Sequence, residues 1–440
     1  LNTTPAETQS AFLKLVVIGN GMAGAKLLEE LIDTCPERYQ ITVFGNEPYG
    51  NYNRIMLSPV LAGDKTISEI MINGKEWYQA NNIELCAGPD KAIVKIDRAG
   101  KKVIAADGSE TPYDRLVIAT GSRPFMMPVP GIDLKGVMSF RDIADVENMV
   151  AAADRYKRAV VIGAGLLGLE AAVGLTTRGM DVTVVHSNVR PLNRQLDDES
   201  GQMLRDELES RGLSFKMSAR TAEILEGERN GEGHVSKVLF SDGSELEADL
   251  VIMAIGIRPN ADLAIDAGIY CENGIVVDDT LQTYDPSIYA LGECIQHRGE
   301  TFGLVAPLYD QAKVLTNHLS GHGVARYETL PTATKLKVTG INLFSVGEFE
   351  GDETTDAIIY RDKSQAVYKK LVLRNNQLVG AVLYGDVQEG AFYNELLDSK
   401  EKLTELRPYM MFGRALCEEI CPEKFSVQLE GSELAQEIKS

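Results

Sequence analysis

The sequence repeats itself, and the repeat restricts the fold more than any other feature. Asp107-Gly-Ser-Glu110 followed by Asp114-Arg-Leu-Val-Ile-Ala119-Thr-Gly121-Ser-Arg123-Pro124 returns in the same register. The second copy is Asp242-Gly-Ser-Glu245 followed by Asp249-Leu-Val-Ile-Met-Ala254-Ile-Gly256-Ile-Arg258-Pro259. A glycine fingerprint precedes each copy: Gly19-x-Gly21-x-x-Gly24 and Gly163-x-Gly165-x-x-Gly168. One such fingerprint is weak evidence. Two, each closed by the same downstream strand and turn, predict two dinucleotide-binding units.

The local pattern agrees. Leu15–Ile18 is a short apolar strand, Met22–Ile32 has helical spacing, and Ile41–Phe44 is the next strand. Val160–Ile162, Leu166–Thr177 and Val182–Val185 repeat that βαβ order. The glycines give tight curvature, close approach to a pyrophosphate and close helix–strand packing. The helix N-terminus then offers unpaired N–H groups to the phosphates. The proline-rich stretch Pro124–Pro130 reads as a crossover linker. From Gly256 the chain is expected to return to the first unit. After Arg326 short alternating strands follow, with Asn375-Asn376 as a hairpin turn, then helical spacing from Gly390. The expected fold class is α/β: two Rossmann-like dinucleotide-binding domains, for FAD and NAD(P), plus a smaller C-terminal α+β domain. The expected boundaries are 13–123 with 256–325 for FAD, 124–255 for NAD(P), and 326–440 for the third domain.

Composition narrows the class. A chain of 440 residues has room for roughly three domains. A net charge of −20 argues against nucleic acid and anionic membranes as partners. The six cysteines are scattered, which does not suit a disulfide scaffold. No apolar run approaches the ~18 residues of a membrane helix. The first ten residues read as a frayed polar tail without signal-peptide character. A cytoplasmic location is expected. The chain opens on Leu1, so a trimmed start is also expected.

Candidate site residues follow from position. An acidic partner for ribose belongs roughly 20 residues beyond the first fingerprint, where Asn46 and Glu47 stand, with Glu47 favoured over a solvated turn acid. Arg54 is either a cation for the FAD diphosphate or ribityl chain, or a surface charge. In the second unit Glu170 either complements the dipole of a helix's first turn or faces the nicotinamide. At the end of the second strand His186 stands where NAD-specific sites carry an acid, with Arg190 nearby. A histidine does not repel a 2′-phosphate; its alternative role is packing or capping.

Together these motifs resemble the flavoprotein reductases with two dinucleotide domains, a family that includes rubredoxin and ferredoxin reductases and apoptosis-inducing factor. A narrower set is Gly19-Asn-Gly-Met-Ala-Gly24, Leu166-Leu-Gly-Leu-Glu-Ala171, Leu291-Gly-Glu-Cys294, Phe302-Gly-Leu-Val-Ala-Pro307 and Lys335-Leu-Lys337. It is similar to the N-terminal flavoprotein part of the large subunit of NAD(P)H-dependent assimilatory nitrite reductase, over about Leu13 to Gly385. The resemblance implies that Glu293, where most relatives carry Asp, holds the FAD ribityl or pyrophosphate. It implies that Gly292 allows close backbone approach and that Val305, Ala306 and Pro307 lie by the isoalloxazine ring. Ala119, Thr120, Gly121 and Gly256 complete the expected cofactor-binding set. That family continues into iron–sulfur and sirohaem segments, whereas Cys417 and Cys421 alone are too few for a cluster of about four ligands. The expected role is therefore an electron-input module, standing alone or cut from something longer.

The expected activity is electron transfer from NADH, with NADPH possible, through FAD to a separate acceptor. Hydride transfer needs no side-chain acid or base, so no catalytic residue and no metal ligand are named. The acceptor is a sirohaem or iron–sulfur component, or rubredoxin or ferredoxin; the oligomeric state is open. A thiol-flavin oxidase needs a thiolate beside the flavin, and Tyr49–Leu61 has no cysteine. A non-enzymatic FAD-binding protein would have no physical need of the second fingerprint.

Overall fold

The computed structural model describes residues 12–228, 233–329, 333–338 and 340–425; the polar N-terminal tail lies outside the described residues. The chain divides into two compact units. The first comprises Leu1–Met127, Ser139–Asp154 and Ile255–Leu330; the second comprises Pro128–Met138, Arg155–Ala254 and Pro331–Ser440.

In the first unit Leu13–Ile18 lies at the centre of a five-stranded sheet. Tyr39–Gly45 and then Ile83–Ala87 flank it on one side, Arg115–Ile118 and Ile288–Ala290 on the other, all parallel. Val16, Val17, Leu116, Val117 and Ile118 are almost fully buried, as strands covered on both faces must be. The second unit repeats the order around Arg158–Ile162. Asp181–Val185 and Ser214–Lys216 lie on one side, and Leu250–Met253 and Val137–Ser139 on the other.

The sequence repeat has a structural meaning in both units. Asp107 and Asp242 each sit in the last turn of a three-stranded antiparallel meander. Asp107 accepts hydrogen bonds from the Ser109 amide at 2.9 Å and its hydroxyl at 2.6 Å, and Asp242 accepts from Ser244 at 2.9 and 2.5 Å. That is an Asx turn in duplicate. Asp114 then accepts the Lys14 amide at 2.7 Å and Asp249 the Arg158 amide at 3.1 Å, pinning each returning strand to the start of its central strand. The two copies finally meet: Ser122–Pro124 pairs antiparallel with Ile257–Pro259, with Arg123 opposite Arg258.

Residues from Thr334 form a five-stranded antiparallel sheet in the order Thr334–Val338, Ile341–Gly347, Gln377–Tyr384, Val367–Arg374, Asp356–Asp362. Asn375 and Asn376 make a two-residue hairpin between Val367–Arg374 and Gln377–Tyr384, at φ 53° and 60°. One face packs on Phe392, Tyr393, Leu406, Met410 and Cys417 from the following helical segments. Burial in that core pushes the Cys417 thiol up to about 11. Within the same unit, Tyr368 and Tyr384 hydrogen-bond to Asp197 and to the Met203 carbonyl at the helix Asp198–Ser210. No described helix is long and apolar enough to cross a membrane.

The third fingerprint glycine fixes helix against strand. A Cβ on Gly24 would stand 2.2 Å from the Gly19 carbonyl oxygen, and one on Gly168 1.9 Å from that of Gly163. Gly24→Ala is therefore expected to lower stability by about 1–3 kcal/mol through overpacking. Thermal unfolding checks this; an unchanged melting temperature would show that the helix can back away freely.

Candidate functional site

Gly21 closes the first turn in extended conformation and N-caps the helix Met22–Thr34, with no side chain capping it and no acid in its first turn. The first amides of that helix consequently lack intrahelical acceptors. They open on a space where a Cβ on Gly21 would meet no atom within 4 Å. Gly165 does the same for the helix Leu166–Thr177, again uncapped, without a first-turn acid, and with open space at the glycine. A negative phosphate fits both ends, each interaction being worth ~0.3–1 kcal/mol at an exposed helix terminus.

Around the first fingerprint the structure gathers many of the expected residues. Glu47 follows the strand Tyr39–Gly45, and its carboxylate accepts from the Tyr52 hydroxyl at 2.7 Å and pairs with Arg54. Arg54 also donates to the Arg141 carbonyl at 3.1 Å and lies over the Tyr52 ring. Burial works against the Arg54 charge, but Tyr52 and Glu47 leave its pKa raised. Asn46 is exposed. Ala119, Thr120 and Gly121 follow the strand Arg115–Ile118, and the Thr120 hydroxyl donates to the Asn260 carbonyl at 2.7 Å. Gly121 and Gly256 have φ of 65° and 118°, and a Cβ on either meets no atom within 4 Å.

Glu293 is half-buried, accepts from the Ser122 hydroxyl at 2.7 Å and forms an ion pair with Arg141. Gly292 precedes it with φ 95°, its amide donating to Gln311 at 2.8 Å. Val305, Ala306 and Pro307 form the uncapped first turn of the helix Val305–Leu319, with Ala306 exposed. Arg141 is the residue that sequence reasoning missed. Its Nε and the Asn20 Nδ2 are buried without a hydrogen-bond partner. One of these donors lies in the open glycine turn and the other beside Glu293, and orphaned donors of this kind fit an anionic, oxygen-rich ligand such as a dinucleotide. The available signal was an arginine just before the helix Ile143–Ala153, whose Asp142 cap is legible; its closeness to Glu293 was not.

In the second unit the helix starts at Leu166, so Glu170 belongs to its second turn and does not complement a first-turn dipole; it is half-buried. His186 follows the strand Asp181–Val185. Its Nδ1 accepts from the Ala164 amide at 3.4 Å, which leaves Nε2 to donate to Asn193 Oδ1 at 3.0 Å. Arg190 is turned to other partners: Nε donates to the Leu196 carbonyl at 2.9 Å, and the terminal nitrogens pair with Asp198 and Glu350.

The thiols do not look like nucleophiles. Cys294 is fully buried, its Sγ donates to the Leu291 carbonyl at 3.3 Å, and burial pushes its pKa up to about 11. Burial raises Cys35 and Cys86 as well. Glu405, Cys421 and Glu423 bring potential ligand atoms within 4.8 Å of one another, but two of the three are exposed acids and nothing further points to an ion.

Comparison with known proteins agrees with this geometry. The model of the pyridine nucleotide-disulphide oxidoreductase family matches residues 13–314, and that of the rubredoxin NAD+ reductase C-terminal domain matches 332–401. A nitrite reductase [NAD(P)H] of Bacillus subtilis is 47% identical over 89% of this chain and 48% of its own length. The assimilatory nitrate reductase electron transfer subunit of the same organism is 42% identical over 89% of this chain and 50% of its own. The chain thus spans about half the length of these curated relatives. Among solved structures, a ferredoxin reductase from Rhodopseudomonas palustris superimposes with a TM-score of 0.79 at 27% identity, covering 88% of this chain and 96% of its own.

His186→Glu is expected to shift preference toward NADH over NADPH by about 1–3 kcal/mol, the size of a charge-assisted hydrogen bond, because a carboxylate there repels the 2′-phosphate. The ratio of kcat/KM values for the two donors measures it. An unchanged ratio would place His186 away from the ribose.

Proposed function

Since this chain belongs to the pyridine nucleotide-disulphide oxidoreductase family, we propose that it is the electron-input module of nitrite or nitrate assimilation, with NADH as the preferred donor. The chain is an NAD(P)H-dependent oxidoreductase that binds FAD and a nicotinamide dinucleotide. FAD, when bound, supplies the capacity to take electrons as a pair and release them singly. One observation carries the reading: each unit presents an uncapped helix N-terminus over a glycine whose Cβ position is open.

The residues divide the work. In the first unit we assign Gly19, Gly21 and Gly24 to the FAD pyrophosphate path, with the first amides of the following helix as donors. Glu47 is assigned to the ribose, held in place by Tyr52 and Arg54. Arg141 and Glu293 form a paired cation and anion, and the free Arg141 Nε is left to reach the ligand. Val305, Ala306 and Pro307 are assigned to the ring end, and the helix start there stabilises negative charge. In the second unit Gly163, Gly165 and Gly168 hold the nicotinamide dinucleotide, with Glu170 and His186 beside it. No side chain is asked to move a proton. The buried, protonated Cys294 supports electron transfer over thiol-flavin chemistry.

The acceptor assignment rests on the two Bacillus subtilis relatives. The matched C-terminal domain and the likeness to a ferredoxin reductase support a second reading, in which rubredoxin or ferredoxin accepts the electrons. Either way the partner is an electron-acceptor protein. A cytoplasmic location fits a nicotinamide donor.

Anaerobic NADH oxidation with each purified acceptor tests the choice. Transfer to a sirohaem or iron–sulfur component of nitrite or nitrate reduction is expected to exceed transfer to rubredoxin or ferredoxin at least tenfold. Rapid reduction of rubredoxin with none to the nitrogen-assimilation component would replace the first reading by the second.

A further inference from the structure

The loop after the strand Asp181–Val185 is held at its start by backbone hydrogen bonds, the His186 amide donating to the Lys216 carbonyl and the Ala219 and Ser218 amides donating to the His186 and Asn188 carbonyls. Further along it is held by the glycine turn, and at its far end by the C-terminal sheet. On the inner side Ala164, in the middle of the second fingerprint, gives its amide to His186 Nδ1 at 3.4 Å and its carbonyl to the Leu192 amide at 2.9 Å. Leu192, at φ 47°, and Leu196 are buried, so the loop lies on the glycine turn. His186 also reaches Asn193 within the loop at 3.0 Å.

On the outer side the loop ends at Asp197, which is 7% exposed. Its carboxylate accepts from the Ser200 amide at 3.0 Å, the Ser200 hydroxyl at 2.6 Å and the Tyr368 hydroxyl at 2.7 Å, and lies 3.4 Å from Lys370 Nζ. Burial alone would raise the Asp197 pKa, but these hydrogen bonds and the lysine leave it lowered. Tyr368 is itself 2% exposed, so its hydroxyl and that carboxylate satisfy each other out of water. Glu350 adds a second tie from the same domain to Arg190, which also grips the Leu196 carbonyl and Asp198.

We propose that Tyr368 is a positioning residue for the nicotinamide dinucleotide, acting through Asp197 on the loop that carries His186. The C-terminal domain therefore helps set donor affinity, whatever it also does toward the acceptor. Loop placement matters because the ribose-facing residue must stand within hydrogen-bond reach of the ligand. The His186 backbone is held by the Lys216 carbonyl and the Ala219 amide, so the outer ties act on the far end of the loop, from Leu192 to Asp197. The inference rests on the second unit being the nicotinamide site.

The test is steady-state NADH-driven ferricyanide reduction by the FAD-loaded full chain carrying Tyr368→Phe, with flavin content measured alongside. A variant without that charge-assisted hydrogen bond behind the loop is expected to raise KM for NADH about fivefold to tenfold. Its kcat should stay within about twofold and its flavin content should be unchanged. A tyrosine needed only for general stability would lower active protein without that split. Gly165→Val separates the two levels of the argument. If it abolishes nicotinamide-driven reduction while Tyr368→Phe leaves KM unchanged, the positioning role is wrong and the site assignment stands. If Gly165→Val leaves reduction intact, the site assignment falls and the inference with it. Should Tyr368→Phe fail to fold, Glu350→Ala removes the exposed second tie; a roughly twofold or larger rise in KM supports the inference and an unchanged KM overturns it.

Discussion

Everything at the two sites depends on one close approach: the carbonyl of the first fingerprint glycine against the α-carbon of the third. In both units a Cβ at the third glycine would overlap that oxygen far inside van der Waals contact, at 2.2 Å in one and 1.9 Å in the other. No other residue allows the helix to descend so close to the strand. That descent leaves the helix end without a side-chain cap or a first-turn acid over the middle glycine. The phosphate site proposed there is thus one of backbone groups, with side chains left to tune what binds.

The tuning differs between the units. In the first, two charge pairs share an edge: Glu47 with Arg54, and Glu293 with Arg141, linked by the hydrogen bond from Arg54 to the Arg141 carbonyl. Each acid is oriented by a hydroxyl as well, Tyr52 or Ser122. Such pairs are stiff because both partners are partly desolvated and multiply bonded. In the second unit the corresponding edge carries a histidine bonded to the backbone and an arginine committed elsewhere. The far end of the loop that carries this histidine is tied to the C-terminal sheet through Asp197 and Tyr368.

Much of this was legible in the sequence, for identifiable reasons. The strand, glycine turn and helix of each unit announce themselves by apolar runs and by glycines at fixed spacing, because both follow from local backbone geometry. The helix Leu166–Thr177 and the hairpin at Asn375-Asn376 lie where the pattern predicts. The repeat could be seen but not its consequence: that its two tails pair with each other as Ser122–Pro124 and Ile257–Pro259 depends on tertiary placement. Arg141 was invisible for the same reason, standing 152 residues before its partner Glu293. Arg190 looked like a free cation near the ribose because sequence cannot show Asp198 and Glu350 competing for it. Glu170 falls on the second turn although the helix start at Leu166 is legible, because it lies four residues beyond that start.

The central claim is that the two open glycine turns serve two different dinucleotides. Anaerobic titration of the FAD-loaded protein with NADH, followed by flavin absorbance, addresses it most directly when run beside Gly21→Val and Gly165→Val. The account predicts bleaching at about one equivalent of NADH for the parent chain. It predicts loss of bound flavin in Gly21→Val, and retained flavin that NADH no longer bleaches in Gly165→Val. Both variants losing flavin, or Gly165→Val bleaching like the parent, would contradict it.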